Sequence, residues 1–282
     1  MHIDIDHLRG WIGHNDRSSE VLSPALVRQF NATFDRTSGE PPTENPGDVA
    51  PLLIHFCLAQ PTVPTAGLGP DGHAARGGFL PPVPLPRRMW AGGAFTFHDD
   101  IRIGEEIRRV STVKDVVLKQ GRTGPLCFVT VNHELTSNGR PVLSERQDIV
   151  YREAQGDAAT KTTPEAAPAG EHAVQITPSA AYLFRYSAMT FNGHRIHYDK
   201  DYVRDVEGYP GLIVHGPLQA TLLCQFAADL KGQAPKTFQF RSLSAIFDTA
   251  DFTVNAQAEG ETMKLWTAQL GGPVAMEAVA TC

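Results

Sequence analysis

The stretch Gly211-Leu212-Ile213-Val214-His215-Gly216-Pro217-Leu218 joins an apolar run to a glycine and a proline. Proline has no N–H and a fixed φ, so it suits the first turn of a helix and disrupts anything deeper. The spacing therefore predicts a buried helix that begins near Pro217 with its N-terminal amides open. Just upstream, Phe191-Asn192-Gly193-His194-Arg195-Ile196-His197-Tyr198-Asp199 concentrates acid–base side chains. A proton-transfer group next to free helix amides suits chemistry beside a carbonyl.

Working outward, the same order of elements is found twice. Ser23-Pro24 is a helix start, with Leu26, Val27, Phe30 and Phe34 near one face. The run Pro51-Leu52-Leu53-Ile54-His55-Phe56-Cys57-Leu58-Ala59 is too uniformly apolar for a surface helix and reads as a long buried one. From Pro61 to Gly93 proline and glycine dominate, with Pro81-Pro82-Val83-Pro84-Leu85-Pro86 at the centre, which predicts an extended lid rather than a helix. Strand patterns follow at Phe95/Phe97, Ile107 to Leu118, Leu126 to Leu135 and Val142 to Tyr151, with hairpin chemistry at Asn138-Gly139. Ala154 to Gly170 offers little to bury and reads as a linker.

After it Thr177-Pro178 echoes Ser23-Pro24, with Phe30 and Phe184 each six residues beyond the proline. Ile213-Val214-His215-Gly216 echoes Leu53-Ile54-His55-Phe56, and Phe238-Gln239-Phe240 with Ile246 echoes Phe95-Thr96-Phe97 with Ile103. Two copies of helix, loop, buried helix and antiparallel strands give an α+β chain of double hot-dog type, in which a curled sheet wraps central helices. The boundaries expected are 1–155 for the first hot-dog, 156–172 for the linker and 173–282 for the second.

Composition limits the partners. A formal charge of −6 on 282 residues argues against nucleic acid. The acidic start Met1-His2-Ile3-Asp4-Ile5-Asp6 has no signal-peptide pattern, and no apolar run approaches membrane-spanning length. Four scattered cysteines form no CxxC pair, so a cytoplasmic setting is expected.

The residues Thr190 to Asp199 with Gly211 to Ala220 resemble the signature of the MaoC-like, (R)-specific enoyl-CoA hydratases and dehydratases, and the doubled order resembles their double hot-dog members. The phrase FNGHRIHYD is most similar to that of type 2 3-hydroxyacyl-thioester dehydratases and of mesaconyl-CoA and itaconyl-CoA hydratases. The resemblance implies a hydro-lyase that adds water to an α,β-unsaturated acyl-CoA, with the thioester as substrate and no cofactor or metal. His197 matches the family's catalytic histidine. The aspartate that precedes it in the family falls here on Asn192, or on Thr190 if two residues are inserted, so the usual carboxylate is missing. Asn192 is then a water-positioning candidate, and the acid could come from the water network, from His194 or from Asp199.

Pro217 has no N–H, so the amides of Gly216 and Leu218 are the candidate donors to the thioester oxygen, with His215 as their neighbour. In the first copy Phe56 stands in the place of Gly216, which predicts a scaffold that has lost catalysis and keeps a groove for the acyl chain. His55 and His133 read as structural. Arg87, Arg88, Arg185 and Arg195 are candidates for CoA phosphates or for the free carboxylate of a dicarboxylic acyl group. Alternatives are a dehydratase of fatty-acid synthesis and a non-catalytic acyl-thioester-binding partner subunit. Two hot-dogs in one chain are compatible with a monomer or a homodimer.

Overall fold

The computed structural model describes residues 3–36, 44–121, 124–153 and 165–282. A short helix α1 (Ile5–Arg9) leads into the polar edge strand β1 (Asn15–Val21). Helix α2 (Pro24–Thr33) starts where expected, with the Ser23 hydroxyl accepting from Leu26 N at 3.1 Å. The proline-rich segment then gives way to β2 (Arg87–Phe97), β3 (Glu106–Gly121), β4 (Gly124–Ser137) and β5 (Arg140–Arg152). Asn138 and Gly139 both have positive φ, 46° and 81°, as a tight hairpin between β4 and β5 requires.

The second half runs through β6 (His172–Ile176), α3 (Ala180–Met189), α4 (Lys200–Asp205), α5 (Gly216–Lys231), β7 (Thr237–Ser242), β8 (Phe252–Glu259), β9 (Thr262–Gln269) and β10 (Val274–Thr281). The strands form one antiparallel sheet in the order β1-β3-β4-β5-β2-β7-β10-β9-β8-β6. Counted in chain order within its own half, each set of five reads first, third, fourth, fifth, second from its outer edge. The halves meet where β2 pairs with β7 and Phe95 lies opposite Phe238, their rings stacked 6.1 Å apart. The sequence echo had equated these two phenylalanines, and an approximate two-fold axis through the pair explains why like residues face each other. Residues 154–164, most of the expected linker, lie outside the described residues, and its last residue, His172, opens β6.

Helix α5 lies against β7, β8, β9 and β10, with Leu218, Ala220, Leu223, Cys224 and Ala227 buried in the main core. It ends at Gly232, whose φ of +68° closes the helix at low steric cost. Among the described residues the first half has no equivalent helix. Pro51 to Ala59 is buried as predicted, but only Ile54–Cys57 forms a single 3₁₀ turn. Leu53 and Ala59 adopt positive φ, 64° and 52°, on either side of that turn, and Pro61 bars continuation. The run buries its apolar side chains as a compact bend rather than as a helix.

The expected start of α3 also shifts. Its N-cap is Ser179, accepting from Tyr182 N at 3.2 Å, and not Thr177. Aligning Ser23 with Ser179 pairs Val27 with Leu183 and Phe30 with Tyr186, all buried, whereas Phe184 is 62% exposed. No helix among the described residues is long and apolar enough to cross a membrane.

Candidate active site

The site grows from the end of α3. Thr190 closes that helix, Phe191 turns the chain with φ of +50°, and the Asn192 amide donates back to Ser187 O at 2.8 Å. Asn192 Oδ1 accepts from His194 N at 3.0 Å, so its side-chain carbonyl shapes the loop. A 3₁₀ turn over Arg195–His197 then places His197, and Ile213 N donates to Ile196 O at 3.0 Å, tying this loop to the approach of α5.

His197 is buried, and its Nδ1 donates to the Ile213 carbonyl at 2.7 Å. Because a carbonyl can only accept, the proton sits on Nδ1 and Nε2 keeps its lone pair. The His215 ring stacks on His197 with centroids 3.6 Å apart, and its Nε2 pairs with Ser187 Oγ at 2.7 Å. His194 meets the His197 ring edge at 5.4 Å. On its other side His194 lies 3.9 Å from the ring of His73, whose Nδ1 is 3.0 Å from Asp71 Oδ2. Four imidazoles therefore run in a row, with Asp71 at one end and Ser187 at the other.

Burial governs their protonation, because the interior disfavours the charged form. It pushes His197 down to about 4 against the opposing pull of the Ile213 carbonyl. Burial followed by repulsion from neighbouring imidazoles holds His194 and His215 well below the usual histidine range. For Asp71 burial acts upward, but the hydrogen bonds and charge of His73 outweigh it and the carboxyl is held low. At neutral pH the row is uncharged and Asp71 is ionised.

His215 is the N-cap of α5, and Gly216 with Pro217 forms the first turn. The amides of Gly216 and Leu218 have no backbone acceptor among the described residues, which leaves them available to an oxyanion. What crowds Gly216 is the Trp90 indole, since a Cβ there would lie 2.9 Å from Trp90 Cε3. Trp90 Nε1 is itself buried without a partner among the described residues, on the ring edge opposite the atoms that meet Gly216.

Several candidates stand elsewhere. Asp199 caps α4 by accepting from Tyr202 N at 3.0 Å and takes Arg195 Nε and Nη2 at 3.0 and 2.8 Å, so both residues are occupied in shaping the loop. Arg87 is spent on Glu207 and Tyr209, at 2.7 Å from Glu207 O and 3.2 Å from the Tyr209 hydroxyl. Arg185 is exposed on α3. Arg88 makes no ion pair among the described residues, and its charge bears on His73, His194 and Tyr151.

The family of hydroxyacyl-thioester dehydratase type 2 matches residues 53–248. The chain belongs to this family. The chain is 39% identical over 269 residues to the mesaconyl-C(4)-CoA hydratase of Chloroflexus aurantiacus, covering 95% of each. It is an enzyme of the hydratase and dehydratase class. Among solved structures, HtdX of Mycobacterium tuberculosis superposes with a TM-score of 0.66 at 16% identity, covering 95% of this chain and 99% of that one. A second M. tuberculosis protein, described as having a double hotdog fold, gives 0.55 at 12% identity and covers 96% of each chain. The double hot-dog expected from the repeated order is thus the fold of this type 2 chain.

Sequence reading missed Asp71, His73 and Trp90. Asp71-Gly72-His73 sits in the segment expected to form a lid, and no local pattern announces a contact with a loop about 120 residues further on. The first half, expected to be a scaffold with a groove for the acyl chain, also brings the His73 ring against the loop of the second. Asp71, His73 and His194 bring donor atoms within 4.8 Å of one another, a spacing a divalent cation could bridge. His73 Nδ1 donates to Asp71 Oδ2, which occupies one potential ligand atom on each, so the group fits a carboxylate–imidazole pair better than a metal centre.

Proposed function

We propose that the chain reversibly adds water to a short dicarboxylic enoyl-CoA, mesaconyl-C4-CoA or itaconyl-CoA, to give citramalyl-CoA. The observation that carries this reading is the fixed tautomer of His197, which leaves Nε2 unprotonated on a ring stacked against His215, the N-cap of α5 with its open amides. Hydration needs the water's lone pair aimed at Cβ, a group to move its proton, and donors for the charge that develops on the thioester oxygen. Nε2 of His197 accepts a hydrogen bond from the water. Gly216 and Leu218 amides receive the oxygen. Asn192 holds the loop through Oδ1 and keeps its amide group for the water.

A dicarboxylic acyl group must place its second carboxylate against a cation, because an unpaired buried charge is prohibitive. Of the four arginines considered, Arg88 is the one that combines proximity to the histidine row with freedom from a carboxylate partner among the described residues. The family match also favours a second reading, a dehydratase of 3-hydroxyacyl thioesters with aliphatic chains. Comparing Arg88→Met with the parent on mesaconyl-CoA and on crotonyl-CoA separates the two. On the dicarboxylate reading the first activity falls by at least about tenfold relative to the second, as for loss of a charge-assisted pair. Equal loss on both substrates favours the aliphatic one. The substrate is an acyl-CoA, no cofactor takes part, and the chain works as a monomer or homodimer in the cytoplasm.

A further inference from the structure

His197 has no carboxylate partner among the described residues, and the reaction still needs a group that can carry a proton as a stabilised cation. We propose that His73, oriented by Asp71 and delivered from the first half, is that group: the catalytic base that takes the proton of the attacking water and returns it to Cα. The inference rests on reading the chain as an enoyl-thioester hydro-lyase.

The placement is built into the backbone. Asp71 O accepts from Arg195 N at 2.9 Å, and Pro70 O accepts from Arg195 Nη1 at 3.1 Å, so the turn is bonded to the catalytic loop itself. Gly72 and Gly193 touch backbone to backbone, and a Cβ on Gly193 would come within 2.7 Å of Gly72 O. Only glycines permit this approach. His73 N also donates to Asp71 Oδ1 at 3.0 Å, which fixes the carboxylate against the His73 Nδ1–H and leaves Nε2 as the free acceptor.

His197 has a carbonyl behind it, whereas His73 has a carboxylate. An imidazolium at His73 is paired with an anion; one at His197 is not. Water held at His73 Nε2 loses one proton to it as its oxygen bonds to Cβ. The double-bond electron pair moves onto Cα and the thioester oxygen, and His73 then gives the same proton to Cα. Atoms and charge balance with no co-reactant, and His197 serves to aim the water. The charged and titratable groups that bear on His73 are Asp71, Arg76 and Arg88, with the His194 ring in contact and His197 beyond it.

The test uses the full chain and the same enoyl thioester assay. His73→Gln should lower kcat by about 10² to 10⁴ with KM changed by less than about threefold. Asp71→Asn keeps the size of the side chain, and loss of its charge should move the acid limb of kcat/KM down by about one pH unit or more. A role in docking alone would leave that limb where it is. If His73→Gln fails to fold, as judged by its melting transition, the Asp71→Asn profile decides. Turnover of His73→Gln within about threefold of the parent, or an unmoved acid limb in Asp71→Asn, overturns the proposal. So does parent activity that is lost to a chelator and restored by Zn²⁺, which would make the group a metal site. A parent chain active on enoyl thioesters with unaffected variants defeats this inference alone; a parent inactive on all of them defeats the hydro-lyase reading with it.

Discussion

The two halves meet across β2 and β7 with the same strand order, yet they treat their equivalent buried segments in opposite ways. Gly211 to Lys231 makes a loop and then a helix of 16 residues whose first turn faces the histidine row. Pro51 to Ala59 makes one 3₁₀ turn, with Phe56 against Trp90 at 5.7 Å where the other half has Gly216 against the same indole. Trp90 thus serves both copies, as a packing surface for one and a cover for the helix start of the other. The difference shows how a duplicated fold divides labour. The first half has a single 3₁₀ turn in place of the helix, and its long connection lays Asp71-Gly72-His73 on the loop of the second.

Between the equivalent buried segments, the largest effect should come from the half that kept the helix. His197→Ala should lower turnover by about 10² to 10⁴, equivalent to about 3 to 5 kcal/mol on the barrier, with the melting transition preserved. His55→Ala, at the position equivalent to His215 in the other half, should disturb stability and leave the chemistry nearly intact. Steady-state kinetics beside thermal melts would show a reversal of that order if the assignment of the halves is wrong.

Acid should sharpen the same contrast through stability. Folded His197 binds its proton less readily than the unfolded chain does, with a value of about 4 against the ordinary 6.5. Between those values the unfolded state holds more protons, so stability falls as pH drops from about 6.5 to 4, and this group contributes no slope above that window. The span corresponds to about 3 kcal/mol for His197. Denaturant titrations of the parent and His197→Gln at pH 7 and pH 5 should show a smaller loss in the variant; identical losses would place the acid-sensitive group elsewhere.

The smallest effect should be shared by both halves. Ser23 and Ser179 cap equivalent helices, so Ser23→Ala and Ser179→Ala should each cost about 1 kcal/mol in chemical denaturation. A marked inequality would count against the alignment of the copies on these serines.

Much of this was readable from local chemistry. The strands β2 to β5 alternate apolar and polar residues, Asn138-Gly139 specifies its hairpin, and Pro217 marks the first turn of α5. Other features carried no local signal. β1 is polar along most of its length because it is an edge strand, so no period-two pattern betrays it. The fate of Pro51 to Ala59 was decided by tertiary fit, since an apolar run of that length satisfies burial equally as a bend or a helix. Arg195 and Asp199 looked like site residues by position, and only their mutual ion pair at 2.8 Å reveals a structural task. The pairing of Asp71-Gly72-His73 with Gly193-His194 joins distant segments through two glycines, and a single sequence offers no periodicity for that.

The central claim is that two hot-dogs build one working site per chain. Isothermal titration with a saturated acyl-CoA that cannot be hydrated, succinyl-CoA, measures this most directly. One molecule bound per chain in the parent, with affinity weakened by at least about tenfold in Arg88→Met, is the predicted result. Two equivalent molecules per chain, or binding unaffected by Arg88→Met, would contradict it.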